Sequence, residues 1–77
     1  MDAEELFLHN EGAIDRIIAF VAGRYLDPAE TEKFASYVKS RLTERNYAIL
    51  RKFEGRCSLT TYVMVVVRRL LHDYRES

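Results

Sequence analysis

From Leu59 to Tyr74 the apolar positions Leu59, Tyr62, Val63, Val66, Val67, Leu70 and Tyr74 recur at intervals of three and four, with Leu71 at the stripe's edge. That is the period of one helix face. Val63, Val65, Val66 and Val67 are β-branched and would also suit a strand. The unbroken period and the polar Arg68-Arg69 continuation favour helix. Ser58 stands where an N-cap would, and Arg69 and Asp73, four apart, are placed to pair on the surface. Upstream, Phe34, Val38 and Leu42 repeat every four residues, flanked by Tyr37 and Arg41. Asp27-Pro28-Ala29-Glu30 signals the start of that helix: a capping carboxylate, a proline for the first turn and an acid for the positive helix end. Ile14, Ile17, Ile18, Val21 and Tyr25 form an earlier helical stripe, and Asp2 with Glu5 resembles a capping box. Asn10 to Gly12 is expected to break or bend the chain, and Asn46 to interrupt it again. Tyr47, Ile49, Leu50 and Phe53 then form a short apolar turn or helix. The pattern predicts an all-α fold in a single domain over residues 1–77: a compact bundle of three main helices with a short extra helix before the last.

The length of 77 residues permits one core. The formal net charge of +0 conceals a split. Residues 1–32 carry two bases and eight acids, 2 − 8 = −6, and residues 33–77 carry ten bases and four acids, 10 − 4 = +6. A neutral total argues against tight nonspecific duplex binding, while the basic half permits a phosphate-facing surface. Ordinary solvated helix faces would produce the same count.

Catalytic chemistry finds little support. The single Cys57 excludes an internal disulfide and a cysteine-rich zinc site, and no partner base accompanies it as a nucleophile. His9 and His72 lie far apart, and His72 and Asp73 are neighbours that point in different directions on a helix. Gly55 stands alone, without a phosphate loop around it. We therefore expect neither enzymatic activity nor a metal or cofactor. The opening Asp2-Ala3-Glu4-Glu5 lacks a secretory pattern, and no apolar run approaches the roughly 20 residues of a membrane span. A cytoplasmic protein is the expectation.

The stretch 53–62 is the densest in candidate chemistry. An aromatic and a glycine that permits close backbone approach are followed by hydroxyls and an arginine, groups that bind phosphates and stack on unpaired bases. Phe34, Tyr37, Tyr47, Phe53 and Tyr74 are expected mostly to pack in the core. Tyr62 is expected to pack its ring inward and offer its edge and hydroxyl outward. Arg68, Arg69 and Arg75 lie outside the apolar stripe.

Phe53-Glu54-Gly55-Arg56-Cys57-Ser58-Leu59-Thr60-Thr61-Tyr62, followed by Val66-Val67-Arg68-Arg69-Leu70-Leu71-His72-Asp73-Tyr74-Arg75, resembles conserved region two of bacterial RNA polymerase sigma factors, especially the extracytoplasmic-function type. That family shows a phenylalanine, a glycine, a basic residue, small polar residues, a threonine and a tryptophan or tyrosine. A valine- or isoleucine-rich helix follows, ending in aspartate, an aromatic and arginine. The resemblance spans nearly the whole chain and is specific over residues 50–75. It implies a transcription initiation domain that docks on a coiled coil of the polymerase largest subunit. Such a domain recognises and opens the minus-ten promoter element and holds the non-template strand, with a base flipped into a pocket.

Carried onto this chain, the resemblance implies strand-opening and backbone roles for Arg56, Ser58, Thr60, Thr61 and Tyr62. It implies promoter reading by Arg68, Arg69, His72 and Arg75, with Asp73 orienting the arginines. Polymerase docking would fall on Phe34, Tyr37, Val38, Arg41, Leu42 and Arg45. The chain departs from the family in three ways. Tyr37-Val38-Lys39-Ser40-Arg41 stands where many relatives carry an acidic, leucine and glutamine motif. Tyr62 replaces the usual tryptophan, and the helix-turn-helix region that reads the minus-thirty-five element is absent from these residues. A second expectation therefore stands beside the first: a sigma-like interaction module that binds polymerase, an anti-sigma protein or itself with little DNA selectivity.

Overall fold

The computed structural model describes residues 2–76. They form four helices: α1 (Ala3–His9), α2 (Glu11–Ala22), α3 (Pro28–Arg51) and α4 (Leu59–Glu76). The starts of α1, α3 and α4 have the caps that the sequence signals. Asp2 Oδ1 accepts the Glu5 N–H at 2.9 Å, and Asp27 Oδ1 accepts the Glu30 N–H at 2.8 Å with Pro28 in the first turn. Ser58 Oγ accepts the Thr61 N–H at 3.1 Å. At the α1–α2 junction Asn10 spends its side-chain amide on the preceding helix, donating to Leu6 O at 2.8 Å. It therefore caps α2 by position alone, with no side-chain bond to that helix. The chain bends at Asn10 and resumes one residue later.

The helices pack around one core. Ile14, Ile17, Ile18 and Val21 of α2 face Val63, Val67, Leu70 and Leu71 of α4, while Phe34, Val38, Leu42 and Leu50 come from α3 and Ala3 and Phe7 from α1. α2 lies along α4, and α1 lies against α3. Phe34, Tyr37 and Tyr74 form a three-ring cluster with centroids 5.3–6.2 Å apart. The Tyr74 hydroxyl donates to Glu30 Oε2 at 2.9 Å, joining the end of α4 to the start of α3. Lys39 Nζ lies 2.7 Å from Asp15 Oδ1 and 3.9 Å from Glu11 Oε2. The basic and acidic halves of the chain therefore meet across α2 and α3.

One expectation needs correction. Tyr25 does not continue the α2 stripe. The helix ends at Ala22, and Gly23 caps it with right-handed helical angles (φ −59°, ψ −17°), where a Cβ would sit 2.8 Å from Ala19 O. Tyr25 is left 57% exposed. The short helix expected before α4 is the last limb of α3, set apart from the rest by the non-helical backbone of Glu44, Arg45, Asn46 and Tyr47, and α1 is a further short helix.

Within α3 the bend falls at the expected Asn46 but is wider than one residue. Glu44 is extended, and Arg45, Asn46 and Tyr47 carry positive φ of 54°, 56° and 60°. A left-handed conformation costs an L-residue roughly 1–2 kcal/mol, so three in succession need external support. Arg51 supplies part of it, donating from Nε to Asn46 O at 2.9 Å and from Nη2 to Arg45 O at 3.1 Å. The Tyr47 ring packs on Phe7, 5.7 Å between centroids. Glycine adopts this conformation without the Cβ penalty, partly offset by its greater freedom when unfolded. Arg45→Gly is therefore expected to stabilise the fold by about 0.5–1 kcal/mol. A urea melt would show a higher midpoint at unchanged slope, and a lower midpoint would mean that the bend is not held left-handed.

Candidate nucleic-acid interface

The turn between α3 and α4 is built differently from its sequence expectation. Gly55 has φ +78°, a conformation that favours glycine, yet nothing lies within 4 Å of where its Cβ would be. The glycine serves the turn's shape and not a close backbone approach. Arg56 projects into solvent, 3.5 Å from Glu54 Oε1, and Cys57 is exposed. Ser58 and Thr61 are engaged with each other: besides the cap, Ser58 Oγ donates to Thr61 Oγ1 at 2.9 Å. Thr60 is exposed at the mouth of α4.

Tyr62 also departs from expectation. Its ring packs 5.2 Å from Phe53, and its hydroxyl points inward, donating to Ile49 O at 2.7 Å. That bond ties the first turn of α4 to the end of α3. Desolvation by burial pushes the phenol above the ordinary tyrosine value of 10.0, with Arg69 opposing and Cys57 reinforcing the shift. A raised pKa on a group that is neutral when protonated contributes stability that is fully present below the unfolded value. It is lost as pH rises through the folded value. Stability is therefore expected to fall above about pH 10. Tyr62→Phe should flatten that alkaline decline while costing roughly 1 kcal/mol at neutral pH through the lost bond to the Ile49 carbonyl, which keeps only the Lys52 N–H at 3.3 Å. Urea melts at pH 7 and above pH 10 check both, and an unchanged alkaline decline would assign it to other groups.

The α4 residues expected to read DNA divide between two faces. Arg68, His72 and Arg75, spaced four and three apart, line a groove of about 620 Å³ between α2 and α4. Arg69 lies instead on the side of Tyr62, close enough to influence its titration. Among the described residues no ion pair joins Arg69 to Asp73, and none holds Asp73 to another arginine. The proposed orienting role of Asp73 thus has no structural counterpart.

The other wall of the groove comes from Phe20 and Arg24, which the sequence did not single out, and from Tyr25, which it placed on the α2 stripe. Phe20 is 59% exposed, and the Arg75 guanidinium lies over the Tyr25 ring at 5.1 Å. Phe20 had a legible signal, since a large aromatic off the Ile14, Ile17, Ile18, Val21 stripe has no core position to fill. Arg24 and Tyr25 had none, because their placement follows from the exit at Gly23.

The residues expected to dock polymerase do not form one surface. Phe34, Val38 and Leu42 are each 0% exposed and lie in the core, where their four-residue repeat meets α2 and α4. Only Tyr37, Arg41 and Arg45 of that set reach solvent. Arg41 donates from Nε to Glu44 Oε1 and from Nη1 to the Tyr37 hydroxyl, both at 2.9 Å. Desolvation alone would lower its pKa, but these bonds hold the guanidinium above its ordinary value.

Among the described residues no group of three or more His, Cys, Asp or Glu side chains is arranged to hold a metal ion. Among these residues, too, no helix is long and apolar enough to cross a membrane. Set against protein-family models, curated proteins and solved structures, the chain matches none of them.

Proposed function

We propose that this chain is a promoter-recognition domain of the sigma region-two kind, binding RNA polymerase core and holding the non-template strand of an opened minus-ten element. The observation that carries the reading is the set of exposed, unpaired arginines along α4, two beside α2 and one on the Tyr62 side. Arg68, Arg69 and Arg75 are exposed and free of ion pairs among the described residues, beside the solvent-directed Arg56 of the turn. Unpaired guanidiniums supply the phosphate contacts that single strands need, and nearby aromatic faces supply stacking. On this reading Arg56 and Thr60 contact the strand directly. Ser58, Thr61 and Tyr62 hold the turn and the first turn of α4 in place. Polymerase contact falls on Tyr37, Arg41 and Arg45, the solvent-reaching part of α3.

The internal engagement of Ser58, Thr61 and Tyr62 also favours a second reading. With those hydroxyls withdrawn from DNA, the same fold would serve as an interaction module for polymerase, an anti-sigma protein or a second copy. Titrating labelled protein with polymerase core, then adding single-stranded minus-ten DNA, separates the two. A ternary complex that discriminates sequence supports promoter reading. A binary complex indifferent to DNA supports the module, and absence of core binding removes promoter reading.

A further inference from the structure

The groove between α2 and α4 combines two kinds of surface that ordinary solvated helix faces do not bring together. Val21 and Leu71 lie buried in its floor, and Phe20 and Tyr25 stand exposed on one wall. Arg24, Arg68 and Arg75 are also part of its lining. Among the described residues none of the three arginines forms an ion pair, and Arg75 is held only over the Tyr25 ring. Glu76 is the one carboxylate in the lining. The volume of about 620 Å³ falls within the range of small-molecule sites.

We infer that this groove binds a free nucleoside polyphosphate. A flat base matches the exposed aromatic wall, since stacking on a side-chain ring needs only a π-face. A chain of phosphates matches three unpaired guanidiniums, which bind such oxygens through charge-assisted and often bidentate hydrogen bonds. Both halves of the ligand are needed to satisfy both halves of the groove. Arg68 and Arg75 also belong to the strand-holding face, so an occupied groove would compete with single-stranded DNA. That consequence rests on the promoter reading, but the binding itself does not.

The test titrates the full chain, without DNA or polymerase, with ATP, inorganic tripolyphosphate and adenosine in turn. Affinity is followed by calorimetry and location by backbone amide NMR shifts. ATP is expected to bind at least roughly tenfold more tightly than either fragment, with shifts centred on Phe20, Tyr25 and Arg75. Phe20→Ala, at an exposed position, should reduce ATP to the affinity of tripolyphosphate. Arg24→Gln with Arg75→Gln should reduce it to that of adenosine, with circular dichroism confirming that both variants stay folded. Tripolyphosphate binding as tightly as ATP, shifts centred elsewhere or no binding would each overturn the inference. None of these results would touch the promoter reading, because no DNA is present.

Discussion

Phe34→Ala should destabilise the fold by about 3–5 kcal/mol, the usual cost of deleting a buried aromatic and leaving its cavity. A domain of this length has roughly 4–12 kcal/mol in total, at about 0.05–0.15 kcal/mol per residue. The substitution would therefore remove a large share of the stability. The physical reason is specific. Phe34 is fully buried, and its ring is packed by Tyr37 on its own helix and by Tyr74 from α4. Its loss also loosens the position from which the Tyr74 hydroxyl reaches Glu30. A urea melt of the variant measures the effect through its midpoint. If Phe34 were instead an exposed polymerase contact, stability would stay within about 0.5 kcal/mol. Binding to polymerase core alone would then suffer. Tyr37→Phe is the companion variant: it keeps the ring in the cluster and removes only the acceptor for Arg41.

Replacing Arg68 and Arg75 together by glutamine should give the largest functional effect. Both side chains are exposed, so the fold should survive, and both face the groove beside α2. Each phosphate contact on a single strand contributes about 0.7 to the slope of log affinity against log salt, so losing two should lower that slope by about 1.4. The loss should be similar across strand sequences if these arginines touch phosphates. It should depend on sequence if they read bases. Arg69→Gln, on the Tyr62 side of α4, should lower the slope by about 0.7 if the strand crosses that face as well. Titrations at several salt concentrations give all three slopes. An unchanged slope in the double variant would take the α4 groove face out of the strand-binding surface.

Much of the architecture follows from local chemistry that reads directly off the residues. Asp2, Asp27 and Ser58 are short oxygen-bearing side chains placed one residue before helices, and all three cap. The stripes of α2 and α4 have the right period because one face of each must leave water. The Phe34, Val38, Leu42 repeat carried the same message. Its regular spacing is a core signature, which explains why those residues are unavailable as a docking face. The left-handed turn was legible only as an interruption at Asn46. Arg45 and Tyr47 adopt an intrinsically unfavourable conformation, supported by partners such as Arg51 in the next turn and Phe7 in α1. No local propensity encodes that.

Tyr62 shows a different limit. Its place in the first turn of α4 was correct, but which way its hydroxyl pointed depended on the Ile49 carbonyl, thirteen residues earlier. The groove with Phe20, Arg24 and Tyr25 arises in the same manner. The basic positions of α4 were visible, but their aromatic counterpart on α2 appears only once the two helices are laid side by side. The split of charge along the chain proved partly structural, since Lys39 spends its ammonium on Asp15 and Glu11.

The most direct measurement is fluorescence anisotropy with a labelled minus-ten-type single strand and a scrambled strand of equal length, across a salt series, with polymerase core absent and then present. Promoter reading predicts tighter binding to the minus-ten-type strand, weakening with salt and with Arg56→Ala, whose side chain is 86% exposed and outside the core. Equal affinity for both strands, or no binding to either with polymerase present, would contradict it.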